Sequence, residues 1–417
     1  MKILFYNVLV IVLLPFMVFR IFLKSIKDKD YSKNIKNRIG IYDQKPNKNL
    51  VWFHAVSLGE VISSENIIKK ILSNHDVVLT VFTPTGLREA EKIYKDKIII
   101  VYAPWDFFLF VDNFIKQFNP ISLILFETEI WPNMINLCHK KNIPVIISNA
   151  RLSESSFRKY HLIKFFIGDE IKKINLVLAQ SNKHKKRFID TGVLSKNIKI
   201  VGSTKFESNE NFFSSDHSFL QDKKFILAAS THYGEEEKIL DAFQDIKDDV
   251  PNLKLIIVPR HPERTDEILK ISKKKGIFSK AIDEIPKAFD VNDVIVINAT
   301  GILKKLYSIA NISFIGGSLF SKYGGHNIIE AASNKCAFII GPYYKNFEDI
   351  IDLFKSRDGC MLLNDTSELS LAFKELLNND ELRTNLIDNA YEVVLENQGS
   401  SDIQFKYINN EINNSNN

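Results

Sequence analysis

A glycine-rich turn at residues 316–330 carries the most specific chemical pattern in the chain. It follows an apolar run typical of a buried strand and reaches Asn327, a residue type that caps helices, with Glu330 one turn farther on. The turn holds two glycine pairs, Gly316 with Gly317 and Gly324 with Gly325. Glycine lets a backbone approach a ligand, and a helix start offers N–H donors to a phosphate. The pattern predicts either a phosphate site in which Glu330 holds a ribose or a plain strand–helix turn in which Glu330 complements the helix dipole.

A carboxylate follows the first predicted strand of the chain. Glu60 comes just after Ser57 and Gly59, at the start of a predicted helix, and the small residues there leave room for a second molecule. A carboxylate at the mouth of a cleft can act as a general base on a substrate hydroxyl. An N-terminal glutamate can equally stabilise its own helix. His54 ends the same strand and is more typical of a hydrogen-bonded core residue.

Two further carboxylates and a lysine follow later strands of the same half. Glu127 and Glu129 are two residues apart, so in extended backbone their side chains point to opposite faces, and one of them is expected to line a cleft. Charges beside an apolar strand need partners, for which Arg151 and Lys205 are candidates. Lys205 could also stabilise a developing negative charge, or could be a surface lysine in a lysine-rich chain.

Polar residues follow the first two predicted strands of the second half as well. Ser230, Thr231 and His232 precede a glycine and a helix, which suits sugar or phosphate oxygens as well as plain helix capping. Pro259 holds Arg260 in a rigid turn, and an arginine fork matches a phosphate. The competing interpretation pairs Arg260 with one of two nearby acids, Glu263 or Asp266.

Composition excludes several classes of function. The chain has 417 residues, which is typical of two domains, and a net charge of +5 with no basic stripe, so no nucleic-acid partner is expected. Its three cysteines are isolated, which fits a reducing compartment without a disulfide framework. Neither a metal-ligand spacing nor a Ser or Cys nucleophile triad is evident.

The N-terminal segment is different from the rest. Residues 3–19 are apolar except for Tyr6 and Asn7, and a run rich in lysine and arginine follows from Arg20 onward. This pattern predicts a membrane anchor helix, spanning or interfacial, that keeps the rest of the chain in the cytoplasm. The basic run would also favour an anionic leaflet.

Beyond residue 49, short apolar runs alternate with helical patterns, which predicts parallel sheets covered on both faces. A stretch rich in Ser, Asn and Asp interrupts this alternation once. We therefore expect two α/β domains, with a ligand site at the carboxyl ends of the strands and in the cleft between the domains. The expected boundaries are an anchor helix at 1–24, a basic linker at 25–48, a first domain at 49–206, a linker at 207–222, a second domain at 223–410 and a disordered tail at 411–417.

Taken together, five ordered motifs resemble those of the bacterial 3-deoxy-D-manno-octulosonic acid (Kdo) transferases of lipopolysaccharide synthesis, glycosyltransferase family 30. The resemblance extends from the N-terminal helix to about residue 363. The motifs lie at residues 54–60, 127–133, 230–236, 259–264 and 316–330.

The resemblance implies a GT-B fold, in which two Rossmann-like domains face a central cleft. It also implies an inverting, metal-independent transfer of Kdo from CMP-Kdo to the lipid A precursor (lipid IVA) at the cytoplasmic side of the inner membrane. No cofactor is expected beyond the donor CMP-Kdo. By resemblance, Glu60 would be the general base, and Glu127 and Lys205 would stabilise the transition state.

The resemblance further assigns nucleotide-sugar and acceptor residues. Ser57 and Gly59 would contact the acceptor. The residues expected to hold the CMP-sugar are Ser230, Thr231, His232, Pro259, Arg260, Gly316, Gly317, Gly324, Gly325, Asn327 and Glu330.

Some positions depart from the family pattern. Ile302 stands where an acid is usual, Ala331 replaces a proline, and Ser203 with Thr204 occupies the place of an Asn-x pair before Lys205. The loss of the acid at Ile302 puts the contribution of that loop in doubt. Two alternatives stay open, namely another GT-B enzyme that uses a UDP-sugar and an inactive, membrane-tethered binding protein.

Overall fold

The computed structural model describes residues 2–44, 49–207, 224–285, 293–299 and 301–416. It divides into two compact units, the first made of Met1–Glu207 with Gln398–Asn417 and the second of Ser208–Asn397. Of the linker predicted at 207–222, only Glu207 lies within the described residues.

The first unit is built on a seven-stranded parallel sheet with the order β3-β2-β1-β4-β5-β6-β7. Its strands are β1 Leu50–His54, β2 Asp76–Val81, β3 Ile99–Tyr102, β4 Ser122–Phe126, β5 Val145–Ala150, β6 Leu176–Ala179 and β7 Ile198–Ile200. Its helices up to this point are α1 Lys2–Lys27, α2 Leu58–Ser63, α3 Glu65–Ile71, α4 Pro84–Tyr94, α5 Phe108–Phe118, α6 Pro132–Lys140, α7 Glu154–Ile171 and α8 Asn182–Thr191.

Both faces of this sheet are buried, as the continuous apolar strands predict. On β1, Leu50 and Trp52 belong to the core on one face, and Val51 and Phe53 to the core on the other. Alternate residues of a strand point to opposite faces, so a strand that is apolar throughout must be covered on both sides. Burial at this depth fixes the register and holds the strand ends in place.

The second unit repeats this design, with a parallel sheet in the order β10-β11-β9-β8-β12-β13-β14. Its strands are β8 Phe225–Thr231, β9 Lys254–Pro259, β10 Ser279–Ile282, β11 Val294–Ile297, β12 Ile312–Ile315, β13 Ala337–Ile340 and β14 Met361–Leu362. Its helices are α9 Glu235–Lys247, α10 Thr265–Lys274, α11 Leu303–Tyr307, α12 Ile329–Ser333, α13 Glu348–Lys355, α14 Leu369–Asn378 and α15 Asp380–Glu396. The prediction of two parallel-sheet α/β domains is confirmed.

The C-terminal segment differs from the sequence-based expectation in two ways. Helix α16 (Ser400–Asn416) continues through most of the tail that was predicted to be disordered. It also belongs to the first unit, whereas the predicted second domain extends to residue 410. Ile408 and Ile412 are fully buried in the core that also contains Val51 and Phe53. Their spacing of four residues places both on one helix face, a pattern that the asparagine-rich composition of the tail obscures.

Candidate active site

In each sheet, the predicted site residues lie where the strand order reverses direction. In the first sheet this switch lies between β1 and β4, and Glu60 follows β1 while Glu127 and Glu129 follow β4. In the second sheet it lies between β8 and β12, which lead to residues 230–232 and 316–317. Ligands of open parallel sheets bind at the carboxyl ends of the strands at such switch points. Sheet topology therefore supports a site in each unit.

Glu60 takes part in the cap of its own helix. The Ser57 hydroxyl accepts a hydrogen bond from the Glu60 N–H and donates one to Glu60 Oε1 at 2.9 Å, while Glu60 Oε2 accepts one from the Val56 N–H at 2.8 Å. The arrangement is similar to a capping box, with the N–H of Val56 in place of that of the N-cap residue Ser57. The helix-capping interpretation is thus confirmed. It is compatible with a catalytic role of Glu60, because the side chain is partly exposed.

The electrostatic setting of Glu60 is unusual for a cap. Burial, followed by the charges of Glu129 and Glu127, raises the pKa of Glu60 to about 8. Burial likewise raises the pKa of Glu129 to about 7, against the hydrogen bond that Trp131 Nε1 donates to it at 2.7 Å. Carboxylates shifted toward neutral pH are poised to exchange protons with a substrate. The cluster therefore has the properties of an acid–base site.

Lys205 is the charge partner of Glu127. Its Nζ lies 2.9 Å from Glu127 Oε1, and the two side chains are only 21% and 18% exposed, respectively. Lys205, one of the two partners considered from the sequence, thus pairs with Glu127. Glu127 also adopts the left-handed backbone region with φ +61°, which is strained for a residue with a side chain. The ion pair with Lys205 and the end of β4 hold the turn in this strained conformation.

The loop that carries Lys205 depends on α16, a contribution that the sequence did not reveal. The Asn149 side-chain oxygen accepts a hydrogen bond from the Thr204 N–H at 3.2 Å. Asn149 is held in turn by Gln404 Oε1, which accepts from the Asn149 N–H and from the Ser148 hydroxyl, both at 2.8 Å. The available signal was Gln404 itself, a polar residue one helical turn before the apolar Ile408.

His54 has the structural role that its position predicts. The ring is fully buried, and Nδ1 lies 2.8 Å from the Thr80 hydroxyl. Burial lowers the pKa of His54 to about 3, so it is neutral at physiological pH.

A cavity of about 440 Å³ opens beside this cluster. Helix α1 forms one wall, and polar or aromatic residues form much of the rest; those that matter below are Arg20, Lys24, Arg38, Trp105, Glu129 and Trp131. Arg38 is 2% exposed, donates to the Phe82 carbonyl at 3.0 Å and lies 4.4 Å from the centre of the Tyr102 ring. Within the described residues, its Nε has no hydrogen-bond partner. A guanidinium that lines a cavity places a positive charge there, which suits an anionic ligand group.

In the second unit, the glycine pair after β12 lies against the turn after β8. A side-chain carbon at Gly316 would come within 2.3 Å of the Ser230 carbonyl oxygen, so no other residue fits. Gly317 has φ +72°, and a side-chain carbon there would lie 3.0 Å from the His326 ring. The glycines are therefore required by the approach of two protein loops to each other.

The N–H groups of this glycine pair are already hydrogen-bonded within the protein. Gly316 N donates to the Ala229 carbonyl at 2.8 Å, and Gly317 N donates to Glu235 Oε2 at 2.7 Å. Helix α12 is a single short turn whose N-cap position is Ile328 and not Asn327 as predicted, although the Asn327 side chain accepts a hydrogen bond from the Ile329 N–H at 3.1 Å. Gly316 and Gly317 would therefore contribute to a ligand site by leaving space for the ligand, not by donating their N–H groups to it.

Glu235 organises these loops, and the sequence did not single it out. The carboxylate is fully buried and accepts three backbone hydrogen bonds, from His232 N at 2.9 Å, Gly317 N at 2.7 Å and Leu319 N at 2.9 Å. Burial raises its pKa, and these three donors oppose the rise. Its position in the first turn of α9 was the available signal, but such residues normally serve only their own helix.

Glu235→Gln is expected to lower the free energy of unfolding of the second unit by about 2–4 kcal/mol. The new amide nitrogen would face at least one backbone N–H donor, so a hydrogen bond becomes a repulsion. Thermal denaturation would measure the loss. Glu237→Gln is the matched control on the same helix, since Glu237 is 60% exposed. Equal stability of the two variants would contradict the role of Glu235.

Two histidines and an arginine surround the turn. His232 Nε2 and His326 Nε2 are 2.8 Å apart, and the His232 ring stacks on Tyr323 at 4.1 Å. Burial and neighbouring positive groups, Arg260 among them, lower the pKa of both histidines to about 4. Both are therefore neutral near pH 7, and the positive charge near them comes from the side chains of Arg260, Arg264 and Lys322.

Arg260 is exposed, and within the described residues its side chain forms no salt bridge. The neighbouring Arg264 takes the acids instead, with Nη1 2.7 Å from Glu236 and Nε 3.1 Å from Glu267. The alternative in which Arg260 pairs with Glu263 or Asp266 is thus not what the structure shows. Arg260 N donates to the Thr231 carbonyl at 2.9 Å, which ties the arginine to the turn after β8.

Glu330 lies on α12 and is partly buried. Burial raises its pKa, and the charges of Lys304 and Arg260 oppose that rise. The structure therefore brings Glu330 into the electrostatic range of Arg260, as a shared ligand site requires. The loop with the altered residue Ile302 leads into α11, and Thr300 lies outside the described residues.

Comparison with known proteins matches both halves of the chain to families. Residues 33–208 match a family described as 3-deoxy-D-manno-octulosonic-acid transferase (kdotransferase), and residues 209–393 match glycosyl transferases group 1. The chain is 33% identical over 410 residues to a 3-deoxy-D-manno-octulosonic acid transferase of Haemophilus influenzae, a match that covers 95% of each chain. An enzyme of the same description from Rickettsia bellii is 30% identical and covers 94% of this chain and 96% of its own.

Solved structures with the same fold are more distant in sequence. A glycosyltransferase from Rickettsia africae aligns with a TM-score of 0.56 at 16% identity, covering 90% of this chain and 99% of its own. A UDP-GlcNAc 2-epimerase from Neisseria meningitidis aligns with a TM-score of 0.54 at 15% identity, covering 84% of this chain and 98% of its own. These similarities show the GT-B type of fold and no more than that.

Proposed function

Because the chain belongs to the 3-deoxy-D-manno-octulosonic acid (Kdo) transferases, a glycosyltransferase family, we propose that it transfers Kdo from CMP-Kdo to the lipid A precursor (lipid IVA). The proposed reaction is inverting and needs no metal. The observation that carries the proposal is the carboxylate cluster at the β1–β4 switch point, where Glu60 has a pKa near 8.

We assign the base role to Glu60. In its ionised form it would accept the proton of the acceptor hydroxyl as that oxygen attacks the anomeric carbon of Kdo. The bond between this carbon and the CMP phosphate oxygen breaks as the new bond forms, and CMP leaves with the bonding electron pair. Attack from the face opposite CMP inverts the anomeric centre.

Lys205 would stabilise the negative charge that develops during transfer. Its ion pair with Glu127 holds the ammonium group in one position, and a charge that is already in position costs little reorganisation at the transition state. The remaining exposure of both side chains, about one fifth, leaves the pair accessible to a substrate.

The second unit would hold CMP-Kdo. Arg260, which forms no salt bridge within the described residues, would pair with the donor phosphate, and Glu330 would accept hydrogen bonds from the ribose hydroxyls. The remaining residues would shape the pocket around the nucleotide; these are Ser230, Thr231, His232, Pro259, Gly316, Gly317, Gly324, Gly325 and Asn327. The positive charge of the arginine would stabilise the phosphate as it leaves, so that CMP can depart without a metal ion.

The lipid acceptor would approach the first unit through the cavity beside Glu129. Gly59 faces open space, which leaves room for the acceptor. The Ser57 hydroxyl is already hydrogen-bonded to Glu60, so the polar groups available to the acceptor are those that line the cavity. We propose that Arg20, Lys24 and Arg38 bind a phosphate of the acceptor.

Arg20→Gln combined with Lys24→Gln is expected to raise the KM for the lipid acceptor about 10- to 100-fold and to leave CMP affinity unchanged, because charge-assisted contacts to a phosphate are lost. Initial rates against acceptor concentration would show this. Lys27→Gln with Lys29→Gln removes the same charge from the same segment outside the cavity lining. An equal rise of the acceptor KM in both double variants would show that these residues act only through general attraction to the membrane.

The proposed base also predicts the pH dependence. A base must be deprotonated to act, and the raised pKa of Glu60 keeps it protonated below about pH 8. The ratio kcat/KM should therefore increase as the pH rises through about 8 and then level off. A pH–rate profile with a saturating donor would test this. A profile already flat from pH 6 upward would contradict it.

The proposed location is the cytoplasmic side of the inner membrane. Within the described residues, α1 is the one helix long and apolar enough to cross a membrane, and the basic residues that follow it favour the anionic cytoplasmic leaflet.

A mass-resolved transfer assay tests the function directly. Purified protein in detergent would receive CMP-Kdo generated in situ and a tetraacylated lipid A precursor. Mass increments of one Kdo unit with release of CMP are expected. No transfer, with a control enzyme active under the same conditions, would favour a UDP-sugar donor or an inactive relative. Comparing CMP with UDP binding would separate these two.

A further inference from the structure

One face of helix α1 lies against the protein, and the buried residues Asn7, Val10 and Ile21 are on it. Positions of reduced exposure recur there at alternating intervals of four and three residues, a stripe that forms one side of a helix. These positions are Ile3, Asn7, Val10, Leu14, Met17, Ile21 and Lys24. At about 1.5 Å per residue the stripe is about 32 Å long, close to the thickness of a bilayer's hydrocarbon core.

Polar contacts join the amino-terminal end of α1 to the first unit. Lys2 Nζ lies 3.1 Å from Asp169, whose side chain is 56% exposed. The Tyr6 hydroxyl donates to Asp106 at 2.9 Å. The Asn7 and Asn133 side chains exchange two hydrogen bonds, at 3.0 and 3.1 Å.

These contacts lead directly to the candidate active site. Asp106 accepts from the Asn133 and Met134 N–H groups at 3.0 and 2.9 Å, at the start of α6. That helix immediately follows the turn with Glu127, Glu129 and Trp131. The two polar residues in the apolar N-terminal segment are thus explained by docking to the catalytic unit.

The carboxyl-terminal end of α1 is docked as well. Met17, Arg20, Ile21 and Lys24 form a wall of the cavity that Trp131 also lines. Lys24 Nζ lies 5.0 Å from the centre of the Tyr31 ring. Contacts at both ends, with the stripe between them, mean that α1 cannot change its tilt without separating from the unit.

The opposite faces of α1 are apolar and exposed. They carry large side chains with exposures between 44% and 70%, among them Leu4, Val8, Val12, Phe16, Phe19 and Phe22. Arg20, Lys24 and Lys27 lie at the carboxyl-terminal end and match an anionic surface. A bilayer interface meets both properties.

We propose that α1 lies in the plane of the membrane interface, with one face on the catalytic unit and the others in lipid, and does not cross the bilayer. A spanning α1 that kept its contacts along the stripe would draw the docked surface of the first unit into the bilayer, including Asp169, whose side chain is 56% exposed, and exposed charges at membrane depth are costly. The inference rests on the proposed membrane location and is independent of the proposed transfer reaction.

Thiol accessibility tests this arrangement. The full chain would carry Cys360→Ser, because Cys138 and Cys336 are buried, together with either Lys2→Cys or Lys140→Cys; Lys140 lies on the surface of the same unit. Spheroplasts and inside-out vesicles would be treated with a membrane-impermeant maleimide. Both thiols should react only in inside-out vesicles.

Two results would overturn the inference and differ in meaning. Labelling of Lys2→Cys in spheroplasts, with Lys140→Cys labelled only in inside-out vesicles, would show a spanning helix and leave the membrane location intact. Recovery of the protein in the soluble fraction would remove both the inference and the proposed location.

A cross-link provides a second measurement, in case the thiol at position 2 is shielded. The pair Asn7→Cys with Asn133→Cys should join through a short thiol-specific cross-linker in native membranes. The control pair, Leu9→Cys with Asn133→Cys, places the first thiol on the exposed side of α1 and should not join. Equal behaviour of the two pairs would contradict docking.

Discussion

Glu60→Gln is expected to lower the rate of Kdo transfer by about 10²-fold or more while leaving folding and CMP binding unchanged, since general-base catalysis contributes about this much. Glutamine has nearly the shape of glutamate. Its carbonyl oxygen can accept from the Val56 N–H, and its amide can donate to the Ser57 hydroxyl, so the helix cap survives. What is lost is the ability to take a proton.

The structure also offers an alternative candidate for the base and a control position for this experiment. Glu129 has a raised pKa and lines the neighbouring cavity, so a large loss in Glu129→Gln with little loss in Glu60→Gln would move the base role to Glu129. Glu65→Gln changes another carboxylate in the first turn of a helix, one that pairs with Lys69, and should be silent. Single-turnover rates at saturating donor would separate chemistry from binding.

The architecture was predictable because its strands are continuous apolar runs. β4, β6, β11 and β12 coincide with such runs. Strand β10 could not be predicted in this way, because it lies at a sheet edge, is partly exposed, and its sequence, Ser-Lys-Ala-Ile, contains no apolar run. Helix α16 was missed because its packing partners, among them Val51 and Phe53, are hundreds of residues away in the chain.

The site was predictable only as far as strand ends determine it. The positions of Glu60, Glu127 and Lys205 follow from the parallel sheet, and the pairing of Glu127 with Lys205 was among the options considered. The roles of Glu235 and Gln404 depend on contacts across 82 and 255 positions of sequence, which no local pattern encodes. The raised pKa of Glu60 likewise results from burial and from two carboxylates that come from another strand.

Arg260→Gln is expected to weaken CMP binding about 10- to 100-fold, because a charge-assisted contact to the phosphate is worth about 1.5–3 kcal/mol. Arg260 is exposed and forms no salt bridge within the described residues, so the substitution should leave the free energy of unfolding unchanged. Its backbone hydrogen bond to Thr231 does not involve the side chain. Calorimetric titration of the folded variant would measure the loss, and Lys270→Gln, on the exposed side of α10, is the charge-matched control.

The comparison of two nucleotides decides which part of the donor Arg260 meets. An arginine that binds the phosphate lowers the affinity for CMP and UMP by the same factor, because the two ligands differ only in the base. A contact to the base would change the ratio of the two affinities. The phosphate also departs with CMP during transfer. Removing the arginine charge that stabilises it should therefore lower kcat as well as raise the KM for CMP-Kdo. Unchanged CMP affinity in Arg260→Gln would mean that another cation holds the phosphate, and Lys304, whose charge already reaches Glu330, would be the next residue to replace.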